Sequence, residues 1–155
     1  MEEAEVIIRA SEDTSDPDWL ELRGEFIPEL NAREQAEFLR AFARDTAGFS
    51  AFIASDGQGR AAGFAEVSIR TDYVNGCRHR PALYLEGIYV RPELRGRGIA
   101  RAICAAAEEW GRSQGCREFA SDVYLDDHNS LAAHAGLGFV EIERVVCLSK
   151  PLYPD

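Results

Sequence analysis

Apolar positions along the chain switch between the short runs of strands and the three-and-four spacing of helices, and these switches divide it into alternating elements. Residues 5–9 read as a short first strand. Asp16, Pro17 and Asp18 stand before Trp19 and Leu22 as a helix start, with acids at the positive end of the dipole, and Phe26, Ile27 and Pro28 close that helix. Over residues 31–44, Ala36, Phe38, Leu39, Phe42 and Ala43 recur at helical spacing beneath a charged face, with Asn31 as N-cap. Residues 49–55 and 61–69 are strand-like runs joined by DGQGR, whose glycines suit a hairpin turn, so the two are predicted to pair antiparallel.

A polar loop, TDYVNGCRHRP, leads to a central strand over residues 83–90, LYLEGIYV, where Gly87 interrupts the pattern as a bulge or a close backbone approach does. Ile99, Ile103, Ala106, Ala107 and Trp110 repeat on one helix face, and Gly115 is a suitable stop. Residues 117–123 supply another strand, 130–135 a short helix and 139–148 a last strand. The order is mixed α/β, with no repeat and no boundary between domains, so one domain is expected over residues 1–155.

Composition narrows the class. With 155 residues and 46% hydrophobic content, a continuous core needs no metal or disulfide staple. A net charge of −10 argues against nucleic acid and anionic membranes as partners and makes a cationic partner easier to accommodate. The start, MEEAEVIIRA, has no leader pattern and no run approaches the ~20 apolar residues of a bilayer span, so a soluble, cytoplasmic protein is expected. Cys77, Cys104, Cys116 and Cys147 form no C-x-x-C pair and no zinc spacing; free, mostly buried thiols and no metal site are expected.

The stretch RGRGIA, from Arg95 to Ala100, lies between the strand pattern and the helix pattern. Its glycines let backbone N–H groups approach a phosphate, the helix N-terminus offers unpaired donors and a positive dipole end, and Arg95 and Arg97 add charge. The spacing is neither that of a P-loop nor that of a dinucleotide fingerprint. A nucleotide-like pyrophosphate is the indicated ligand.

Three residues could carry chemistry beside that loop. Glu86 interrupts an apolar strand, where an unpaired carboxylate is costly to bury, so it is a base and ammonium ligand or else one half of a salt bridge across the sheet. Asp122 ends an apolar run and is a substrate contact or an N-cap for the following helix. His134 can donate a proton near neutral pH or serve as a partly buried structural histidine. A bulge at Gly87 would free backbone N–H groups around Ile88 and Val90 for a carbonyl.

Arg95, Gly98 and Ala100, in R-x-x-G-x-A after a strand ending in V-R-P, resemble the acetyl-CoA signature of the GNAT N-acetyltransferase superfamily. DYVNGC (72–77), LEGIYV (85–90), WGRSQGCREFASD (110–122) and HAGLGFVEIERV (134–145), with Trp19, Leu22, Arg23 and Pro28 in W-x-x-L-R-x-x-x-x-P spacing, are similar to bacterial aminoglycoside 6′-N-acetyltransferases. The resemblance implies the GNAT acyl-CoA N-acyltransferase fold, a splayed central mixed sheet flanked by helices. It also implies direct acetyl transfer from acetyl-CoA to the 6′-amino group of an antibiotic, and a homodimer. Ile88, Tyr89 and Val90 then fall on the cofactor-contacting strand, and Gly96, Arg97, Gly98, Ile99, Ala100 and Arg101 join Arg95 on the pyrophosphate loop. Glu86 and Asp122 form an acidic cleft, with Tyr73 as a ring contact and Glu143 as a further acid, from the same chain or from a dimer partner.

The chain departs from that family pattern at three positions. Ile27 stands where a tryptophan is usual, removing a flat surface for a sugar ring. Asp127 replaces an asparagine that contacts the cofactor, with Asn129 nearby as a substitute, and His134 stands where many GNAT enzymes carry a tyrosine acid. Two other readings follow from the same residues: acetyl transfer to another amine (polyamine, small metabolite, protein N-terminus or lysine), or a noncatalytic acyl-CoA sensor.

Overall fold

The structure, a computed structural model, describes residues 5–153, and among them five strands form one sheet in the order β1-β2-β3-β4-β5. The elements run β1 (Ile7–Ser11), α1 (Pro17–Phe26), α2 (Ala32–Asp45), β2 (Phe49–Ser55), β3 (Ala61–Arg70), β4 (Ala82–Val90), a 3-10 turn (Pro92–Leu94), α3 (Ile99–Ser113), β5 (Phe119–Ala120) and α4 (His128–Gly136). The first four strands are antiparallel, β2 and β3 through the hairpin turn at 56–60, β1 and β2 through the two helices and β3 and β4 through the 71–81 loop, and α3 is the crossover that makes β5 parallel to β4.

Helices cover both faces of the sheet, which is why β2 and β3 read as nearly continuous apolar runs. On one face Ile99, Ile103 and Ala107 of α3 pack on Phe52, Ala65, Val67, Leu83 and Leu85. On the other, Trp19 and Leu22 of α1 and Leu39 of α2 pack on Phe49, Ala51, Ile53 and Phe64. The expected helix start at 16–18 is capped by Asp16, which accepts from the N–H groups of Asp18 and Trp19, and the expected N-cap Asn31 forms a reciprocal capping box with Glu34.

Three expectations are corrected. The first strand begins at Ile7 rather than Glu5 and runs to Ser11, because its ladder partners are Ser55 through Ala51. The strand expected over 117–123 shrinks to Phe119–Ala120, since only Leu83 and Tyr84 of β4 face it before the two strands part. The strand expected over 139–148 is absent: the segment has no regular structure, and Val140, Ile142, Val145, Val146 and Leu148 are exposed. Apolar alternation expresses a wish for a neighbouring strand, and among the described residues the segment has none.

Candidate active site

The β3–β4 register pairs Glu66 with Gly87 and Val67 with Leu85, so Glu86 is the extra residue of a bulge on β4. A bulged residue leaves the ladder and its side chain is re-aimed. Glu86 Oε1 accepts hydrogen bonds from Ser68 Oγ (2.7 Å), Arg70 Nη2 (2.9 Å) and Arg70 Nε (3.3 Å), all from β3. The cross-sheet salt bridge anticipated for this carboxylate exists, yet Glu86 also lines a cleft of about 120 Å³ with Arg23, Phe26, Ile27, Phe38, Phe42 and Glu66.

The floor of that cleft is a buried polar network. Glu66 Oε1 accepts from Trp19 Nε1 (2.7 Å) and from Arg23 Nη1, while Arg23 Nε donates to Gln35 Oε1 (2.9 Å). Gln35 Nε2 in turn donates to the Ile27 carbonyl (2.8 Å), fixing the turn between α1 and α2 on which Ile27 sits. Burial pushes the Glu66 carboxyl up, against the pull of the Arg23 guanidinium and the two hydrogen bonds. Glu66 carries the same sequence signal as Glu86, an acid inside an apolar strand, and sequence reasoning passed over it.

Among the described residues the β5-facing edge of β4 is unpaired beyond Tyr84. The Arg91 N–H donates to Ala62 O on β3, and strand alternation then turns the N–H groups of Ile88 and Val90 to the open edge. The Val90 carbonyl on that edge accepts from Arg95 Nε (2.8 Å), so Arg95 staples the loop to the strand while its charge stays beside it. Gly96 and Gly98 have φ of +77° and +81°, which disfavour any side chain, and no atom lies within 4 Å of where a Cβ would stand. Gly98 is the N-cap of α3 and supplies no side-chain cap, leaving the first N–H groups of the helix, at Ile99, Ala100 and Arg101, for an anion. Arg97 is exposed, and Arg101 donates to the Gly136 carbonyl (3.1 Å), tying α3 to α4.

Tyr89 packs its ring near Phe26 and Phe64 and donates to Glu25 (3.3 Å), which makes it a packing residue between β4 and α1. Arg91 is buried against Glu21, Glu25 and the Ala61 carbonyl and pins the end of β4 to α1.

Asp122 lies beside the Tyr84 phenol; burial foremost, then the Asp122 charge, push that phenol well above its usual range. The Arg70 guanidinium lies 3.4 Å from the centre of the same ring, so Arg70 and Tyr84 connect Glu86 to Asp122. His134 Nδ1 meets the Ser130 carbonyl at 2.8 Å; a carbonyl only accepts, so Nδ1 carries the proton and in the neutral ring Nε2 accepts from Ser121 Oγ (2.8 Å). Asp127, not Asp122, caps α4 by accepting from the Ser130 N–H (3.0 Å), while Asn129 is exposed in the first turn.

Tyr73 and Glu143 are not brought into the Glu86–Tyr84–Asp122 row by any hydrogen bond among the described residues. Tyr73 is exposed and its hydroxyl accepts from the Gly76 N–H (3.2 Å). Glu143 is exposed next to Ile142, and Ile142 packs so closely on Gly76 that a Cβ there would lie 2.6 Å from it. The two residues therefore belong to one corner, where the 71–81 loop meets the C-terminal segment. A larger cleft of about 420 Å³ between α3 and β5 is lined by Glu108, Arg112, Arg117 and Glu118 and holds none of the candidate residues. Among the described residues no group of three metal-ligating side chains occurs, and no helix is long and apolar enough to cross a membrane.

Residues 17–139 match the Acetyltransferase (GNAT) family model. The chain is 43% identical over 137 residues to an aminoglycoside N(6′)-acetyltransferase type 1 of Stenotrophomonas maltophilia, with 88% of each chain covered. It is 40% identical over 150 residues to one from Klebsiella aerogenes, with 94% and 97% covered. Among solved structures it is similar to AAC(6′)-Iy in complex with the bisubstrate analog CoA-S-monomethyl-acetylneamine, with a TM-score of 0.85, 38% identity, and 96% and 99% of the chains covered. It is likewise similar to the aminoglycoside 6′-N-acetyltransferase AAC(6′)-Ih from Acinetobacter baumannii, with a TM-score of 0.84, 37% identity, and 96% and 100% covered.

Proposed function

This chain belongs to the GNAT acetyltransferase family, and from that premise we propose that it moves the acetyl group of acetyl-CoA directly onto the 6′-amino group of aminoglycosides, as an antibiotic-modifying enzyme. The observation that carries the reading is the bulge that lifts Glu86 out of the β3–β4 ladder beside the open edge of β4, one strand length from the glycine-bearing loop.

In this reading Gly96, Gly98 and the N–H groups of Ile99, Ala100 and Arg101 hold the pyrophosphate, with Arg95 and Arg97 adding charge. The N–H groups of Ile88 and Val90 receive the pantetheine amides and the thioester carbonyl, so the carbonyl is polarised as the amine attacks. Glu86 holds the acceptor ammonium and takes its proton, and Asp122 holds a further ammonium. The amine nitrogen forms a bond to the acetyl carbon as the carbon–sulfur bond breaks and releases its second proton to solvent; the departing thiolate gains a proton from Ser121 Oγ, which regains one from Nε2 of His134 in its imidazolium form, recharged from solvent. Asp127 supports the cofactor only indirectly, through the α4 cap, and Asn129 is the side chain free to reach it.

The whole described chain serves as one catalytic domain. Two copies assemble as a homodimer, each placing residues 139–153 along the β5 edge of the other and carrying Glu143 to the partner's acceptor cleft near Tyr73. Support for this is the row of exposed apolar residues Val140, Val146 and Leu148, which no strand among the described residues covers. A cytoplasmic setting is supported by four unpaired cysteines, which suit a reducing compartment. Ile27 at the cleft favours one second reading, in which another polyamine is the preferred acceptor, because an aliphatic side chain gives a sugar ring no flat surface.

Thiol release from acetyl-CoA with tobramycin, kanamycin, spermidine and a lysine peptide tests this. Release with 6′-amino aminoglycosides and none with 6′-hydroxy analogues is expected. Turnover of 6′-hydroxy analogues, or of spermidine alone, overturns the assignment of the acceptor.

A further inference from the structure

We infer that Arg70 is a built-in counter-cation of the acceptor site: its guanidinium, held on Glu86 and over the Tyr84 ring, must be displaced by the incoming ammonium, so Arg70 sets how tightly amines bind. The inference rests on the reading of Glu86 as the ammonium-holding carboxylate.

Two arginine–glutamate pairs stand side by side in this molecule, and they differ in kind. Arg23 and Glu66 have side chains 2% and 5% exposed, and Arg23 is further held by Gln35 and by the Phe38 ring. Such a pair cannot exchange partners without unfolding its surroundings. Arg70 is 43% exposed, at the very end of β3, while the carboxylate it holds is 16% exposed. Its guanidinium can leave for solvent at little cost, since an open ion pair contributes little and long side chains regain freedom on release.

Its position is that of a substrate cation. Arg70 donates to Glu86 Oε1 through two nitrogens and lies over the ring of Tyr84, whose phenol stands beside Asp122. A cation at this point touches an aromatic face and a carboxylate, which are the contacts an acceptor ammonium seeks. Ser68 Oγ also donates to Glu86 Oε1 (2.7 Å) and is fully buried, so the carboxylate keeps its orientation when Arg70 departs. Arg70 is thus dispensable for aiming Glu86, and its remaining effect is to compete for it. A polycation also meets the Arg70 charge as a like charge wherever the guanidinium moves.

Steady-state kinetics of Arg70→Gln against the wild type decide the matter. The acceptor KM is expected to fall about fivefold at low salt, the effect shrinking as salt screens it, with no matching fall in kcat and no change in the acetyl-CoA KM. A lower kcat at unchanged or raised acceptor KM overturns the proposal and makes Arg70 an orienting partner of Glu86; an unchanged KM overturns it as well. Where Arg70→Gln does not fold, Arg70→Lys assigns the Arg70 Nε–H resonance of the wild type by its loss. That resonance is expected to shift on titration with tobramycin or spermidine, and a signal unmoved by saturating amounts of both overturns the proposal. Whether the wild type acetylates aminoglycosides at all is read separately: its failure there removes the antibiotic assignment, while the Arg70 comparison proceeds on whichever amine binds.

Discussion

Gly87 faces Glu66 across the β3–β4 ladder, one position from the extra residue that makes Glu86 protrude. A Cβ built at Gly87 would lie 3.4 Å from the Phe26 ring and 3.5 Å from Glu66 Oε2, ordinary contacts that leave no room for more. Gly87→Ala is therefore expected to fold, with stability within about 1 kcal/mol of the wild type, whereas Gly87→Val overpacks the cleft floor and costs about 1–3 kcal/mol. Denaturant unfolding checks both values, and acceptor KM should rise for the valine variant alone. Equal loss in the two variants would mean that backbone conformation, not space, demands the glycine.

Glu86→Gln keeps the shape of the side chain and an oxygen for Ser68 while removing the charge. Turnover is expected to fall about 10²–10³-fold, the usual range for loss of a positioned base, with the acetyl-CoA KM little changed. The cofactor contacts proposed for Gly96, Gly98 and the α3 N-terminus do not involve this carboxylate. Parallel loss of acetyl-CoA affinity would show that Glu86 holds the sheet together instead.

How much of this was legible differs by residue, for physical reasons. Asn31 was readable as a cap and the 16–18 cluster as a helix start because such signals are local, complete within four residues. Glu86 was readable because a lone acid in an apolar strand is expensive, and the bulge it occupies was hinted at by Gly87. Glu66 carried that signal and was missed, its two donors lying 43 and 47 residues away, at a separation no local pattern displays. Arg70 was invisible for the opposite reason: an arginine at a strand end is ordinary, and only the register of β3 on β4 brings it to Tyr84 and Glu86. The short β5 and the unpaired residues 139–148 were misjudged because periodicity reports which side chains seek burial and not whether a neighbouring strand exists to pair with.

Asp16 gives the fold a defined response to acid. Arg9 bonds both its oxygens, at 2.5 and 2.8 Å, and this contact above all, helped by Ser11 and the Trp19 N–H, holds the carboxyl down to about 2. A carboxyl depressed in the folded state stabilises fully above its unfolded value near ~3.9 and loses that contribution as pH falls through about 2. With Arg9 41% exposed and partly screened, the contribution at neutral pH is about 1 kcal/mol. Asp16→Asn retains the cap and loses the pair, so unfolding curves should show that loss at pH 7 and converge with the wild type near pH 2. A constant difference across this range would assign the effect to the cap.

The C-terminal segment offers the last test, because its exposed residues are the ones a second copy would cover. Val146 and Leu148 are 82% and 89% exposed, and a chain that leaves such side chains in water gains roughly 1.5–3 kcal/mol for each one it buries. Wild-type protein is expected to sediment as a dimer at micromolar concentration, and the double variant Val146→Asp, Leu148→Asp as a monomer. The monomer should still bind acetyl-CoA, since the RGRGIA loop and α3 are packed within one chain, but should lose acceptor turnover by about tenfold if the partner's Glu143 serves the cleft, the value of one charge-assisted contact. Glu143→Gln in the dimer separates the two causes: a matching loss assigns it to the carboxylate, and full activity assigns it to assembly. A wild type that sediments as a monomer would remove both the homodimer and the role of Glu143 in one measurement.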